Sequence, residues 1–216
     1  MTAELVALDR AGPMLRVTLN RPQKANALNL AMVQRLLEIC AACGRDRDLR
    51  ALVITGAGGR VFCAGADLSE ITSSRADSAN SAWQRVPTAL ATLDILTIAA
   101  VNGPCIGGGL TLALGCDIRI SVPEAHFAYP VLRNKLIPGK VDCDRLRALI
   151  GPGRTSLLLL GGQKVMAPEA KDWGLVDRIV THGRLLQGCE EICATACAAE
   201  REHLAAIKRL CRGDLP

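Results

Sequence analysis

Two glycine-rich segments constrain this chain more than any other feature. Residues 62–68 read Phe62-Cys63-Ala64-Gly65-Ala66-Asp67-Leu68, and residues 102–109 read Asn102-Gly103-Pro104-Cys105-Ile106-Gly107-Gly108-Gly109. The first lies shortly after an apolar run over 51–55, and the second directly follows one over 96–101; both runs have strand length and strand composition. Glycine after a strand lets bare backbone approach a neighbour or a ligand. The triple glycine also opens a predicted helix over 108–114. The first N–H groups of such a helix have no partner within it and sit at the positive end of its dipole. A carbonyl oxygen placed there is polarised, and the Gly65-Ala66 peptide supplies a second donor from another strand end. One such donor is commonly worth ~2.7–4 kcal/mol in a transition state. Tight helix–strand packing demands the same glycines, so at this point both readings stand.

The rest of the chain frames these segments as a layered α/β fold. Alternation predicts strands over 5–8 and 15–19, then a loop over 21–26 fixed by Pro22. Asn29 reads as an N-cap. Behind it Leu30, Val33, Leu36, Leu37, Cys40 and Cys43 keep helical spacing as far as Gly44. Residues 69–81 are polar and Ser-rich and predict a mobile loop, followed by a helix over 83–93 with Pro87 near its first turn. Beyond the second glycine segment come a strand over 116–121 and helices over 141–150, 153–160 and 168–173. A short strand over 175–180 and a mostly helical stretch over 185–210 follow. The recurring unit of strand, strand and helix suits a stacked α/β spiral, with a doubly wound parallel sheet as the alternative. The predicted organisation is a spiral core over 1–155 and a helical C-terminal region over 156–216.

Composition narrows the partners. A chain of 216 residues, half of them hydrophobic, fits one domain with a sizeable core. The net charge of +5 suits a polyanionic small molecule. Aromatic residues are only 2% and no Lys/Arg run is dense, so nucleic acid is not an expected partner. Met1-Thr2-Ala3-Glu4-Leu5 lacks the form of a signal peptide, and no apolar run reaches the ~18 residues of a membrane span. No membrane partner and a cytoplasmic location are therefore expected, with the ten cysteines acting as small apolar residues. Cys189, Cys193 and Cys197 share a helix face but no His interleaves, so packing is favoured over a metal; the same holds for Cys40 and Cys43. Gly56-Ala57-Gly58-Gly59 lacks the third glycine and the following helix of a dinucleotide fingerprint and reads as a turn.

Taken together, the motifs resemble the enoyl-CoA hydratase/isomerase (crotonase) family. Arg21-Pro22 with Ala25-Asn26-Ala27-Leu28, the two glycine segments, and Cys116-Asp117-Ile118 carry the likeness. So do Phe127, Pro130, Ile137-Pro138-Gly139 and Ala170-Lys171-Asp172-Trp173-Gly174-Leu175-Val176-Asp177. The resemblance implies a crotonase-like spiral of ββα repeats, assembly as a homotrimer or dimer of trimers, and an acyl-CoA ligand with no cofactor beyond its CoA moiety. It implies oxyanion-hole N–H groups on Ala66 and Gly108. It lays CoA along Lys24, Ala25 and Ala27 and along Ala64, Ala66, Asp67, Leu68 and Gly108, with Arg21 and Lys24 as candidates for the phosphates. A solvated loop lysine is the competing role for Lys24, and anchoring of the loop is the expected role of Asp67.

The pattern breaks where protons are handled. Hydratases of the family use two glutamates, and the matching positions hold Thr111 and Val131. Neither side chain exchanges a proton near neutral pH, and acid–base catalysis typically contributes ~10²–10⁴-fold per group. Other members place a catalytic aspartate at the position of Gly139. Standard hydration is therefore not expected; divergent lyase, decarboxylase or hydrolase chemistry is, with a non-catalytic acyl-CoA binder as the alternative. Glu70, His126, Tyr129, Asp142 and Asp144 are conceivable substitutes, but Asp142 and Asp144 read more simply as first-turn helix acids and His126 as a surface or satisfied core residue. The family usually continues with further helices beyond residues 208–212, so a less enclosed pocket is expected.

Overall fold

The computed structural model describes residues 4–67 and 82–213. Leu68, Glu70 and the expected loop over 69–81 lie outside the described residues. Strands β1 (Val6–Ala11) and β2 (Met14–Leu19) form the expected antiparallel pair. Helix α1 (Leu30–Arg45) starts where Asn29 Oδ1 accepts the Met32 N–H at 2.9 Å, the predicted N-cap. Its apolar face, Met32, Val33, Leu36, Ile39, Cys40 and Cys43, is buried.

Strand β3 (Ala51–Gly56), helix α2 (Ala82–Thr92), strand β4 (Leu96–Val101), the two-residue strand β5 (Cys105–Ile106) and helix α3 (Gly108–Leu114) come next. Then follow β6 (Ile118–Ser121), β7 (His126–Ala128), α4 (Lys140–Leu159), β8 (Val165–Met166), α5 (Ala167–Trp173) and β9 (Arg178–Ile179). Helices α6 (Leu185–Ala198) and α7 (Arg201–Cys211) end the described chain. The predicted break between two helices near residue 151 is a kink inside α4, where Gly151 takes φ +76° ahead of Pro152.

The main sheet runs β1-β2-β3-β4-β6-β9, parallel from β2 onward. Every residue of β3 is buried, as a central parallel strand covered on both faces requires. Strand order follows chain order, so the sheet grows in one direction and has no reversal point; this overturns the doubly wound alternative. A second sheet, β5-β7-β8, runs beside it, and Cys63 bridges to Cys105 at its edge. The chain thus alternates between two sheets, as a spiral does. The strands of the second sheet span only two or three residues each, too short to show a period in the sequence. The 116–121 strand shortens to β6 because Cys116 closes α3 by donating to Ala113 O. The 175–180 strand shortens to β9 because Gly174, at φ +86°, ends α5 by donating to Ala170 and Lys171 carbonyls.

The C-terminal helices are fastened to this core by two buried cations. Arg201 donates to the carbonyls of Cys43, Gly44, Asp46 and Leu49, the carbonyl-rich end of α1. Lys208 reaches Ile95 O at 2.8 Å and Asp117 at 2.7 Å. Cys189 and Cys193 of α6 are buried in the core, consistent with packing.

Candidate active site

Both glycine segments leave the carboxyl ends of neighbouring strands, β3 and β4. Asn102 ties those ends together by accepting the Gly56 N–H and donating to Gly56 O. A Cβ at Gly103 would stand 2.3 Å from Arg60 O, and one at Gly109 would stand 2.5 Å from Cys63 O. Those two glycines are therefore required by close packing, the simpler of the two roles weighed for them.

Gly108 is different. A Cβ there would lie 3.1 Å from the backbone nitrogen of Ala66. The absent side chain thus lets the first residue of α3 lie close against the Gly65-Ala66 peptide. Leu28 pairs with Ala66 by donating to Gly65 O and accepting from Asp67 N, which turns the Ala66 N–H away from that ladder. Among the described residues neither the Ala66 nor the Gly108 N–H is given to a protein acceptor. Two unshared donors on neighbouring backbones are the kind of pair that holds a single oxygen gaining negative charge. Helix α3 has seven residues, so these donors rather than a long dipole carry that capacity.

The loop of Lys24, Ala25 and Ala27 runs beside the first glycine segment. Ala64 N donates to Ala25 O at 3.0 Å, and Asp67 N donates to Leu28 O at 2.7 Å. Ala25 and Asn26 both take positive φ, 50° and 54°. The buried Asn26 side chain supports this turn through Arg21 N, Ala57 O and Val61 O. Lys24 is exposed at its rim. Arg21 departs from expectation: its guanidinium is turned inward, donating to Ala27 O and pairing with Asp67 at 2.8 Å. It anchors the loop together with Asp67, which leaves Lys24 as the exposed cation of the pair first considered for phosphates.

The two glutamate-equivalent positions have unlike fates. Val131 is buried in the core. Thr111 sits one turn beyond Gly108 on α3 and belongs to a closed polar cluster. Its hydroxyl donates to Asp142 Oδ2 at 2.8 Å, the Tyr129 hydroxyl donates to the same oxygen at 2.7 Å, and the two hydroxyls are 2.8 Å apart. Gln84 Nε2 adds a longer bond at 3.3 Å. Burial, and then the Asp142 charge, push the Tyr129 phenol well above its ordinary pKa, so it remains a donor.

Asp142 therefore corrects the simpler reading. It lies in the first turn of α4, yet its side chain is 0% exposed and points into the cluster rather than into water. Asp144, by contrast, is an exposed surface acid paired with Lys140. His126 is half-buried on β7 and is held below its usual pKa by burial and by Lys164. The Cys63 thiol, pushed up to about 12 by burial, is no nucleophile.

Sequence reasoning missed Gln84 and Arg145. A Cβ at Gly139 would stand 2.2 Å from Gln84 Nε2, so this amide occupies the space beside the residue where other family members carry an aspartate. Arg145 follows Asp142 by one turn of α4, and its guanidinium donates to Pro87 O at 3.3 Å. Three buried side-chain atoms lack a hydrogen-bond partner among the described residues: Asp142 Oδ1, Gln84 Oε1 and Arg145 Nη1. All three belong to this contact between α2 and α4.

Comparison with known proteins agrees with this geometry. The family described as enoyl-CoA hydratase/isomerase matches residues 10–215. The chain belongs to that family. It thereby falls among enzymes of the lyase and isomerase classes. It is 34% identical over 190 residues to a short-chain-enoyl-CoA hydratase of Clostridium acetobutylicum, covering 87% of this chain and 73% of the relative. It is 33% identical over 212 residues to a carnitinyl-CoA dehydratase of Salmonella enteritidis, covering 97% and 81%. The crystal structure of an enoyl-CoA hydratase from Bacillus anthracis superposes with a TM-score of 0.87 at 31% identity, covering 95% of this chain and 81% of that one. The fold is thus the crotonase fold. Among the described residues no helix is long and apolar enough to cross a membrane.

Proposed function

We propose that this family member binds an acyl-CoA thioester and polarises its carbonyl between the N–H groups of Ala66 and Gly108. The observation that carries this reading is the close approach of two unshared donors, for a methyl group on Gly108 would stand 3.1 Å from Ala66 N. The CoA moiety lies along Lys24, Ala25 and Ala27 and along Ala64 to Asp67, segments that are hydrogen-bonded side by side. Lys24 meets the phosphates, and no cofactor beyond CoA itself takes part. Two-glutamate hydration is not open to a chain with Thr111 and a buried Val131 in those positions. The chemistry is a divergent use of the oxyanion site, in the lyase, decarboxylase or hydrolase direction. By analogy with the family the working form is a trimer or dimer of trimers in the cytoplasm.

The same two substitutions favour a second reading, a non-catalytic acyl-CoA binder. Titration calorimetry with a short panel of acyl-CoAs, alongside turnover assays on the same panel, separates them. Binding with turnover supports the enzyme. Binding without turnover leaves the binder, and no binding to any member of the panel overturns the acyl-CoA reading altogether.

A further inference from the structure

Resting on the acyl-CoA reading above, we infer that Asp142 is the proton store of the site and exchanges protons with the substrate through the Thr111 hydroxyl, doing in relay what two glutamates do elsewhere in the family. The carboxylate is fully buried, while Thr111 and Tyr129 keep 6% and 7% of their surface. A ligand therefore does not touch Asp142 itself, and the carboxylate is reached through its hydrogen-bond partners Thr111 and Tyr129. Thr111 is the member of the cluster on the same helix as Gly108, one turn away. A threonine hydroxyl is no acid or base of its own near neutral pH, yet it relays a proton between oxygen atoms, because it gives up its own proton as it takes another.

A buried acid in a purely structural role has its oxygens paired. Here Oδ2 accepts from Thr111, Tyr129 and Gln84, while Oδ1 has no partner among the described residues. Gln84 Oε1 and Arg145 Nη1 are likewise unpartnered at the same contact. Arg145 supplies positive charge beside an otherwise unpaired carboxylate, and Asp142 in turn opposes the lowering that burial imposes on Arg145.

For an α,β-unsaturated thioester the step balances with no further reactant. A water at Thr111 loses a proton to Thr111 Oγ1 as the Thr111 proton passes to Asp142 Oδ2. The water oxygen bonds to the β-carbon. The π electrons move onto the carbonyl oxygen, held by Ala66 and Gly108. The enolate then collapses and takes a proton at its α-carbon from Thr111, which is refilled from Asp142. The product is the 3-hydroxyacyl thioester, and the protein is returned to its starting state.

The test measures hydration of crotonyl-CoA and calorimetric binding of butyryl-CoA for four proteins: wild type, Asp142→Asn, Thr111→Val and Thr111→Ser. The expected result is measurable wild-type hydration that falls about 100-fold or more in Asp142→Asn and in Thr111→Val, with butyryl-CoA affinity held within about 3-fold. Thr111→Ser, which keeps the hydroxyl, retains most of the rate, and this rescue separates a relay from a packing role. Wild-type binding without hydration overturns the relay while leaving the acyl-CoA reading intact, as does Asp142→Asn turning over at the wild-type rate. Loss of hydration in Thr111→Ser equal to that in Thr111→Val overturns it as well. Failure of the wild type to bind butyryl-CoA strikes the underlying reading instead.

Discussion

Two carboxylates in this molecule, Asp117 half-buried and Asp142 fully buried, sit in unlike clusters. Asp117, at the start of β6, accepts from Thr97 N, Thr97 Oγ1 and Lys208 Nζ at 2.9, 2.9 and 2.7 Å, and Lys208 also reaches Ile95 O. No buried side-chain atom of that cluster lacks a partner among the described residues. Both acids accept their three bonds on one oxygen, Oδ2, but the Asp117 side chain is 22% exposed, whereas Asp142 Oδ1 is buried and, with Gln84 Oε1 and Arg145 Nη1, has no hydrogen-bond partner among the described residues. The first cluster joins α7 to the sheet and is complete without a ligand. The second links Thr111, one turn from the candidate oxyanion donors, to the contact between α2 and α4. Leaving a buried polar group unpaired costs roughly 1–3 kcal/mol, so the second cluster is the less favourable of the two for stability alone.

Substitutions that cross the two clusters break or sharpen this contrast. The largest effect on stability is expected from Lys208→Met, which leaves Asp117 without its cation. Roughly 3 kcal/mol of unfolding free energy should be lost, read as a lower urea midpoint, with acyl-CoA binding unchanged. Asp142→Asn should leave the midpoint almost unmoved, because an amide can still accept from Thr111 and Tyr129. Equal destabilisation by both variants would erase the distinction.

Thr111→Glu, the change that restores a family glutamate, is expected to cost about 2 kcal/mol on its own, because it sets a second carboxylate against the fully buried Asp142. Adding Asp142→Asn should recover most of that loss in the same urea titration. A Thr111→Glu protein as stable as the wild type would mean that Asp142 is not held against position 111.

The smallest effect concerns His126. Burial and Lys164 hold its folded pKa below the unfolded value near 6.5. Its contribution is therefore fully present above that value and declines as the pH falls through the lower folded one. Urea midpoints at pH 7.5 and pH 5.5 should differ less in His126→Gln than in the wild type. This titration lies away from the Asp142 cluster and should leave turnover ratios unchanged.

Much of this was legible in the chain, for physical reasons that differ by region. Long periodic elements announced themselves: the α1 face, the Asn29 cap, and the strands on either side of each glycine segment depend on local chemistry. The glycines were legible as close-approach points, but only geometry separates Gly103 and Gly109, where a Cβ would overlap a carbonyl oxygen, from Gly108, where it would stand 3.1 Å from Ala66 N. Asp142 did leave a signal. It falls on one helical stripe with Leu146 and Ile150, all three buried, and an acid on an apolar stripe points inward. Gln84 and Arg145 left none, because their roles arise where α2 crosses α4, 58 residues apart in the chain. Arg21 misled for a related reason: only the fold brings Asp67 across to meet it.

The central claim, that Ala66 and Gly108 hold a thioester carbonyl, is tested most directly by the infrared stretch of carbonyl-labelled butyryl-CoA on the protein. Two donors at one oxygen weaken the C=O bond. The account predicts a stretch shifted to lower frequency on binding, kept in Asp142→Asn and lost in Gly108→Ala, whose methyl would stand 3.1 Å from Ala66 N. Bound butyryl-CoA with an unshifted carbonyl in the wild type, or a shift untouched by Gly108→Ala, would contradict it.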